Sequence, residues 1–286
     1  MTPSSSRSRL IDLVPHIVLI VGVLVFVYPI YVTLIGSTWD SGTIGRGGLP
    51  LWPSGEGPAN YAQAWAGEAG DRAMYTPVRT MMLNSLVMAL SIALGKIAIS
   101  ILSAYAVAFF RFPLRMAFFW LIFITLMLPV EVRIIPTYKV VADLGLIDTY
   151  AGLTIPLIAS ATATLLFRQF FLTIPDELLE AAKIDGAGPV RFFIDVVLPL
   201  SRTNIAALFV ILFIYGWNQY LWPLLVTSSR DMETIVTGIT KMIGTGESAN
   251  DWHIIMATTV LAMLPPVAVV LLMQRWFVKG LVDSEK

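Results

Sequence analysis

The stretch Thr173–Leu200 reads TIPDELLEAAKIDGAGPVRFFIDVVLPL and separates two regions that are apolar enough to cross a lipid bilayer. A polar segment between membrane-spanning segments has to lie in water, because its charges are costly to bury in lipid. Asp176, Glu177 and Glu180 come early in a helical pattern, where they complement the positive end of a helix dipole. The stretch therefore predicts a short exposed helix, as expected of an element that docks another protein.

Capping and turn residues set the expected ends of this helix. Thr173 and Asp176 are candidate N-terminal caps, and Pro175 suits the first turn. Gly186 and then Gly188-Pro189 are expected to stop the helix and turn the chain.

Three short motifs in this stretch occur together at a distinctive spacing. They are formed by Glu180, Ala181 and Ala182, by Asp185, Gly186 and Ala187, and by Leu198, Pro199 and Leu200. The combination resembles the cytoplasmic EAA loop of binding-protein-dependent ABC importer permeases, whereas a lone EAA would indicate only a good helix former. The resemblance implies a coupling helix that fits a groove of the ATP-hydrolysing subunit, with Glu180 in polar contact and the small residues allowing close approach. The alternative is an ordinary amphipathic loop between two spans.

The composition is that of an integral membrane protein. Hydrophobic residues make up 57% of the 286-residue chain and charged residues only 13%, too few to cover a soluble surface of this size. The absence of cysteine excludes disulfides and thiolate metal sites, and His16 and His253 lie far apart in sequence, so no metal site or bound cofactor is expected. The formal net charge is zero and no basic run occurs, which argues against binding nucleic acid.

Apolar segments predict an all-α membrane protein with six transmembrane helices. The expected spans cover about 13–35, 81–109, 116–130, 150–171, 204–226 and 252–273. We divide the chain into an N-terminal tail (1–12), a transmembrane domain (13–273, with the coupling loop at 173–200) and a C-terminal tail (274–286). The first apolar run is too long for a signal peptide and lacks a small-residue cleavage site, so it is interpreted as an uncleaved span.

The distribution of lysine and arginine between the loops predicts the orientation of the spans in the membrane. Six spans place both termini on one side, and that side would hold eleven Lys or Arg residues against seven in the opposite loops. The eleven are Arg7, Arg9, Arg111, Arg115, Arg168, Lys183, Arg191, Arg202, Arg275, Lys279 and Lys286. Both termini and the coupling loop are therefore expected in the cytoplasm, and the resemblance to importer permeases implies the inner membrane of a bacterium.

The segment from Gly36 to about Thr80 is rich in Gly, Pro and Trp and is expected to be an external loop with turns and one short helix. Its tryptophans suit the membrane interface, and the alternative is contact with a periplasmic partner.

Two groups of residues are candidates for the substrate path. Lys96 lies near the middle of the second span and shares a narrow helical arc with Ser85, Ser100 and Ser103, so this face is expected to point away from lipid. Lys96 either attracts an anionic substrate or pairs with a carboxylate or carbonyl group. In the fifth span, a second polar and aromatic face combines Tyr215, Asn218, Gln219 and Trp222. That face suits stacking and hydrogen bonding to a polyol, and packing between helices or an aromatic belt at the membrane interface explains it equally well.

A wider resemblance covers almost the whole chain. Residues 135–149 are similar to the carbohydrate-uptake branch of these permeases, and residues 123–133, 215–225 and 280–286 look like the permeases of sn-glycerol-3-phosphate importers. This resemblance implies alternating access, a homologous permease subunit, two ATP-binding subunits that hold ATP and Mg, and a periplasmic substrate-binding protein. The expected substrate is sn-glycerol-3-phosphate, with a glycerophosphodiester or a sugar as alternatives.

Rival classes of function find less support. The sequence contains no HExxH, no GxSxG and no cysteine, which argues against an intramembrane enzyme. It also contains no GxxxxGK[ST] phosphate-binding loop, so an ATPase that drives transport has to be another chain. A channel or secondary transporter would need neither the EAA-like loop nor that ATPase.

Overall fold

The computed structural model describes residues 5–48, 51–69, 72–73, 75–125, 130–243 and 251–282. The helices are α1 Ser5–Gly36, α2 Ser41–Gly45, α3 Gly57–Ala66, α4 Val78–Phe109, α5 Arg115–Ile124, α6 Val130–Asp143, α7 Tyr150–Thr154, α8 Ala161–Phe171, α9 Asp176–Ile184, α10 Pro189–Phe192, α11 Leu198–Leu200, α12 Arg202–Trp217, α13 Leu221–Val226, α14 Ile235–Met242 and α15 Trp252–Val282. A π-helical turn spans Phe193–Val197, and two 3₁₀ turns span Ile155–Leu157 and Arg230–Met232. Two antiparallel strands of two residues each, β1 Glu68–Ala69 and β2 Arg72–Ala73, complete the described elements.

The apolar helices confirm an all-α membrane fold. Within the described ranges, three helices are long and apolar enough to cross a bilayer: Val14–Gly36 of α1, the whole of α4, and Trp252–Trp276 of α15. Two bent helix pairs raise this number to five if each pair is one span. Helix α5 has 10 residues, and residues 126–129 at the end of the expected third span lie outside the described residues. Six spans therefore stays a prediction.

One compact unit comprises residues 1–78 and 239–263. Asn60 joins α3 to the segment that follows α1, because its side-chain amide donates 2.9 Å hydrogen bonds to the carbonyls of Ser37 and Trp39. The hydroxyls of Ser37 and Tyr61 lie 2.8 Å apart, and the Trp39 indole donates to the carbonyl of Trp52. The described part of the expected external loop contains two short helices and two short antiparallel strands rather than one short helix.

Helix α1 exposes apolar side chains along most of its length. Phe26 is 79% exposed, and Val18 and Leu19 are exposed to a similar degree. Such a continuous apolar surface requires lipid or another protein chain, because water would leave it strongly destabilised.

The second unit comprises residues 79–238 and 264–286, and its core is built on one face of α4. The core cluster consists of Met88, Ile92, Ile134, Val141, Leu153, Trp222 and Val226. Gly216 of α12 lies directly against α4, because a Cβ atom there would approach the Cα of Ala89 to 2.9 Å. Small residues of this kind let membrane helices approach closely.

The fourth and fifth expected spans are not continuous helices. The pair Tyr150–Leu157 and Ala161–Phe171 is bent by 47°, and the Ser160 hydroxyl caps the second helix by accepting a hydrogen bond from the Ala163 N–H. The pair Pro189–Leu200 and Arg202–Trp217 is bent by 70°. Helix α12 then ends at Trp217, and α13 begins only at Leu221, so the predicted helix 204–226 is interrupted.

Candidate coupling segment and substrate path

We call residues 173–200 the coupling segment. Its first helix, α9, has no buried residue, and its first turn carries Asp176 and Glu177 as predicted. Glu180, Ala181 and Asp185 are exposed, while Ala182 and Ala187 are half-buried. The acidic groups and the small residues of the EAA-like motif are therefore available to a partner surface.

The predicted N-terminal caps of this helix are wrong. Pro175 occupies the N-cap position of α9 in an extended conformation, and no side chain caps the helix. The Thr173 hydroxyl instead donates a 2.7 Å hydrogen bond to the Phe170 carbonyl and closes the end of α8. Asp176 lies inside α9 as its first residue, so it acts on the helix dipole rather than as a cap.

The predicted glycine stop at the C-terminal end is confirmed. Gly186 has a φ of +73°, which an L side chain rarely adopts. The Gly186 N–H donates to the Lys183 carbonyl at 3.1 Å, and the Ala187 N–H donates to the Ala182 carbonyl at 2.8 Å. These are the two hydrogen bonds of a Schellman motif, and they satisfy backbone carbonyls of the last turn.

A π-helical turn joins the second half of the segment to α11. The turn Phe193–Val197 lies just before the Leu198-Pro199-Leu200 motif. Pro199 has no N–H to donate to the carbonyl four residues earlier, so an undisturbed α-helical ladder is not available here. Leu198 and Pro199 are half-buried, and Ser201 after them is fully buried with its hydroxyl bonded to the Val197 carbonyl at 2.6 Å.

Aromatic side chains fasten this segment to the end of α4. The aromatic anchor consists of Tyr105, Phe109, Phe171, Phe192 and Phe193. The ring of Phe192, which is 1% exposed, lies 5.4 Å from that of Phe109, and the Tyr105 hydroxyl donates a 2.8 Å hydrogen bond to the Pro189 carbonyl. These packed rings and the hydrogen bond connect the coupling segment directly to the end of α4.

Sequence reasoning missed this anchor. Its signal was present as aromatic residues spaced by four at the end of the second span, together with the adjacent Phe192-Phe193 pair inside the polar stretch. Aromatic pairs at such distances stabilise a contact beyond the area that they bury.

The outer surface of the coupling segment is apolar as well as charged. Ile184 is 86% exposed and Val190 72%, and Ile194 is also exposed. Large aliphatic side chains are costly to leave in water, and together with the acidic residues of α9 they form a surface suited to a protein partner.

A groove of about 600 Å³ lies beside α9. Its charged lining residues are Arg111, Arg115, Lys183 and Asp176, so positive charge predominates. The groove adjoins the coupling segment and belongs to the same surface.

Lys96 lies in the interior, as the arc on the second span predicts. Lys96 is 7% exposed, and Ser85 and Ser100 on the same arc are also buried, with Ser103 half-buried. The Lys96 ammonium lies 3.8 Å from the centroid of the Tyr215 ring, within the range of a cation–π interaction. Two of the four substrate-path candidates are thus in direct contact.

The remaining candidates of the fifth span do not form the predicted face. Asn218 is the exposed C-cap residue of α12, and the Gln219 amide donates a 3.1 Å hydrogen bond back to the Tyr215 carbonyl. Trp222 lies on α13, where it is buried and donates to the Gly152 carbonyl. The helix break therefore separates Trp222 from the other three. Within the described residues, no group of three His, Asp or Glu residues could hold a metal ion.

Comparison with known proteins identifies the family. Residues 96–283 match the model of the family described as binding-protein-dependent transport system inner membrane component. The chain is 61% identical over 275 residues to the sn-glycerol-3-phosphate transport system permease protein UgpE of Rhizobium meliloti, covering 96% of this chain and 97% of the relative. It is 60% identical to the protein of the same name from Agrobacterium fabrum, with 96% of each chain covered.

A solved structure supports the fold. The chain superposes with a TM-score of 0.82 and 23% identity on a chain from a bacterial ABC transporter involved in the import of the acidic polysaccharide alginate, covering 96% of this chain and all of the other. The sequence matches and this fold lead to one conclusion. The chain is a membrane protein of the binding-protein-dependent transport system inner membrane component family, the permease subunits of ABC importers.

Proposed function

We propose that this permease subunit moves sn-glycerol-3-phosphate into the cell by alternating access, as part of an ATP-driven importer. The observation that carries the proposal is 60–61% identity over nearly the whole length to permeases named for that solute. A glycerophosphodiester or a sugar carried by the same machinery is the alternative substrate. A channel or secondary transporter is the alternative mechanism.

The assembly that we propose contains four other components. They are a homologous permease subunit, two ATP-binding subunits and a periplasmic substrate-binding protein. ATP and Mg are held by the ATP-binding subunits, and this chain supplies no ATPase site and binds no cofactor of its own. The exposed acidic and aliphatic residues of the coupling segment support a protein contact there.

The coupling segment is the route by which the ATPase acts on this subunit. A partner shifts the balance between inward-open and outward-open states only by contacting the two states differently. Glu180, Ala181, Ala182, Asp185, Gly186 and Ala187 form the contact, and Leu198 and Pro199 lead it into the next helix. The aromatic anchor supports this role because it joins the segment to α4, which carries Lys96.

The proposed topology has six spans in the bacterial inner membrane with both termini in the cytoplasm. The excess of Lys and Arg, eleven against seven, supports this orientation. Lys96, Tyr215, Asn218 and Gln219 are the proposed substrate-path residues, and the contact between Lys96 and Tyr215 supports the first two.

Uptake by a reconstituted complex tests the proposal. Proteoliposomes that hold the whole complex receive labelled sn-glycerol-3-phosphate, with ATP in the compartment of the ATPase, and maltose and glycerophosphocholine in parallel. Saturable ATP-dependent accumulation of the phosphate ester is expected. Accumulation of another solute alone would overturn the substrate assignment, and uptake that does not depend on ATP would overturn the coupled mechanism.

A further inference from the structure

The groove beside α9 lies where two apolar helices end. Helix α4 is long and apolar enough to cross a bilayer and ends at Phe109, and the apolar helix α8 ends at Phe171. Both residues line the groove, and the centres of their rings lie 5.9 Å apart. A groove between the ends of such helices lies at the boundary between hydrocarbon and water, which is the level of the lipid headgroups.

The groove combines positive charge with apolar surface. Its basic lining residues are Arg111, Arg115 and Lys183, and Asp176 is the acidic one among the described lining residues. None of the three cations forms an ion pair within 4.0 Å with a described carboxylate, and the Arg115 guanidinium donates a 3.2 Å hydrogen bond to the Phe110 carbonyl. The other lining residues are apolar: Ala108, Phe109, Phe171, Leu172, Ile174 and Leu179. The groove therefore suits a ligand that has both an anionic group and an apolar part.

Exposed apolar side chains continue from the groove along α5. Arg115 is the first residue of this helix, and Leu114, Phe118 and Trp120 beside it are all exposed. Leu172, on the opposite wall of the groove, is 59% exposed. Large apolar side chains at the level of a membrane are stabilised by contact with lipid. An acyl chain would therefore find apolar surface directly beside the basic residues.

We propose that this groove binds the headgroup of an anionic glycerophospholipid, with Arg111, Arg115 and Lys183 contacting its phosphate. A guanidinium binds two phosphate oxygens through its planar fork, and an ammonium adds a compact point charge. Basic pockets between membrane helices are typical sites for such headgroups. The volume of about 600 Å³ lies within the range of about 300–1,000 Å³ that is usual for sites of small ligands.

A lipid accounts for the groove better than an acidic segment of a protein partner does. A lipid uses both the charges and the exposed apolar side chains next to them, whereas an acidic segment would use the charges alone. Arg111 and Arg115 also lie on the turn between α4 and α5, outside the coupling segment. Since Lys183 belongs to α9, a bound headgroup would join the membrane surface to the coupling segment. The proposal does not depend on which solute is transported.

Binding of labelled phosphatidylglycerol to the purified full-length chain in neutral detergent micelles tests the site. Phosphatidylcholine with the same acyl chains has no net charge and should bind at least about tenfold more weakly. Arg111→Gln and Lys183→Gln should each weaken binding of phosphatidylglycerol about fivefold, and the double variant about 25-fold, as for basic residues near an anionic lipid surface. The matched control is Arg202→Gln, which removes an exposed positive charge at the start of α12, outside the groove, and should leave binding unchanged.

Asp176→Asn separates a charge effect from damage to the fold. It removes the negative charge from the groove and should strengthen binding of phosphatidylglycerol by a similar factor, which a distorted groove would not do. Arg111 and Lys183 are exposed, so their replacement by Gln should leave thermal unfolding unchanged.

Four results would overturn the inference. Equal binding of phosphatidylcholine would show that headgroup charge is not recognised, and wild-type affinity in the double variant would place the lipid elsewhere. Displacement of the label by inorganic phosphate at the same concentration would indicate a site for free phosphate rather than for lipid. Loss of the label when the ATP-binding subunits assemble on the chain would show that a protein covers the groove; we expect the label to remain bound.

Discussion

The coupling segment and the first turns of α4 use polar side chains in opposite ways. The polar cluster at α4 consists of Asn84 and Ser85, which are buried, and Tyr150 of α7, which is 39% exposed but bonds to Asn84 through its hydroxyl. The Asn84 amide donates to the carbonyls of Asp231 at 2.7 Å and Glu233 at 2.9 Å, and its oxygen accepts a 2.6 Å hydrogen bond from the Tyr150 hydroxyl. Ser85 accepts a 2.8 Å hydrogen bond from the Ile235 N–H. These side chains make their hydrogen bonds to other groups of the same subunit.

In the coupling segment, the backbone groups at the end of α9 make hydrogen bonds within the segment, whereas charged side chains remain available to a partner. The Schellman motif closes α9 without help from any side chain. The side chains of Glu180, Lys183 and Asp185 make no hydrogen bond or ion pair with another described residue, and the ion pair of the segment, Arg191–Asp195, is exposed. The difference separates groups that hold the fold from groups that are available to a partner. Substitutions in the two regions should therefore affect different measurements.

Asn84→Leu is expected to have the largest effect on stability. It removes the donor to the carbonyls of Asp231 and Glu233 and the acceptor of the Tyr150 hydroxyl, which costs about 2–5 kcal/mol in total. Thermal unfolding of the purified subunit in detergent measures the loss. The matched control is Asn218→Leu, an exposed asparagine whose replacement changes the free energy of unfolding by about 0.5 kcal/mol or less. An equal loss in both variants would show that the hydrogen bonds of Asn84 contribute no more to stability than an exposed asparagine does.

Gly186→Val is expected to reduce ATP-dependent uptake moderately. No atom lies within 4 Å of a Cβ placed there, so the substitution creates no clash. The φ of +73° instead imposes a backbone strain of about 1–2 kcal/mol, which the last turn of α9 can relieve only by changing shape. ATP-dependent uptake should fall while the subunit still inserts into the membrane.

The matched control for this strain is Gly188→Ala. Gly188 also has open space around it, but its φ of −72° suits any residue. Uptake by Gly188→Ala should equal that of the wild type. If Gly186→Val also behaves as the wild type, the shape of the segment after α9 has no part in coupling.

Tyr75 makes a similar but weaker contribution to stability than the polar cluster at α4. Burial, and then the 2.8 Å hydrogen bond that its hydroxyl donates to Asp251, raise the pKa of Tyr75 to about 12. The unfolded chain has a tyrosine pKa near 10, so the contribution of this group is complete below about pH 10 and is lost as the pH rises toward 12. The effect is small because Tyr75 is only half-buried.

Thermal unfolding between pH 9 and 11 checks the prediction for Tyr75. The wild type should lose slightly more stability over this range than Tyr75→Phe, which has no phenolic proton to lose. Parallel pH profiles for the two proteins would show that the hydrogen bond to Asp251 does not contribute to stability.

Local patterns in the sequence predicted several of these structural features. The dipole-facing acids of α9, the stop at Gly186 and the burial of Lys96 each depend on residues close together in the chain. The capping role of Thr173 was wrong because its hydroxyl had a competing acceptor at the end of α8. The break after Trp217 was missed because the apolar sequence continues through it.

Contacts between distant parts of the chain could not be predicted in this way. The aromatic contacts from Tyr105 and Phe109 to Phe192 depend on how the helices pack. A single helical period gives the buried face of each helix but does not specify which helix covers it.

The most direct test of the coupling role compares Glu180→Ala with Glu177→Ala. Both residues are exposed on α9, and neither has a described partner, so neither substitution should change membrane insertion or thermal stability. The measurement is copurification with the ATP-binding subunits, followed by ATP-dependent uptake. We predict that Glu180→Ala loses about tenfold or more in both, as expected for a lost charged contact, while Glu177→Ala stays near the wild type. Wild-type assembly and uptake in Glu180→Ala would contradict the account.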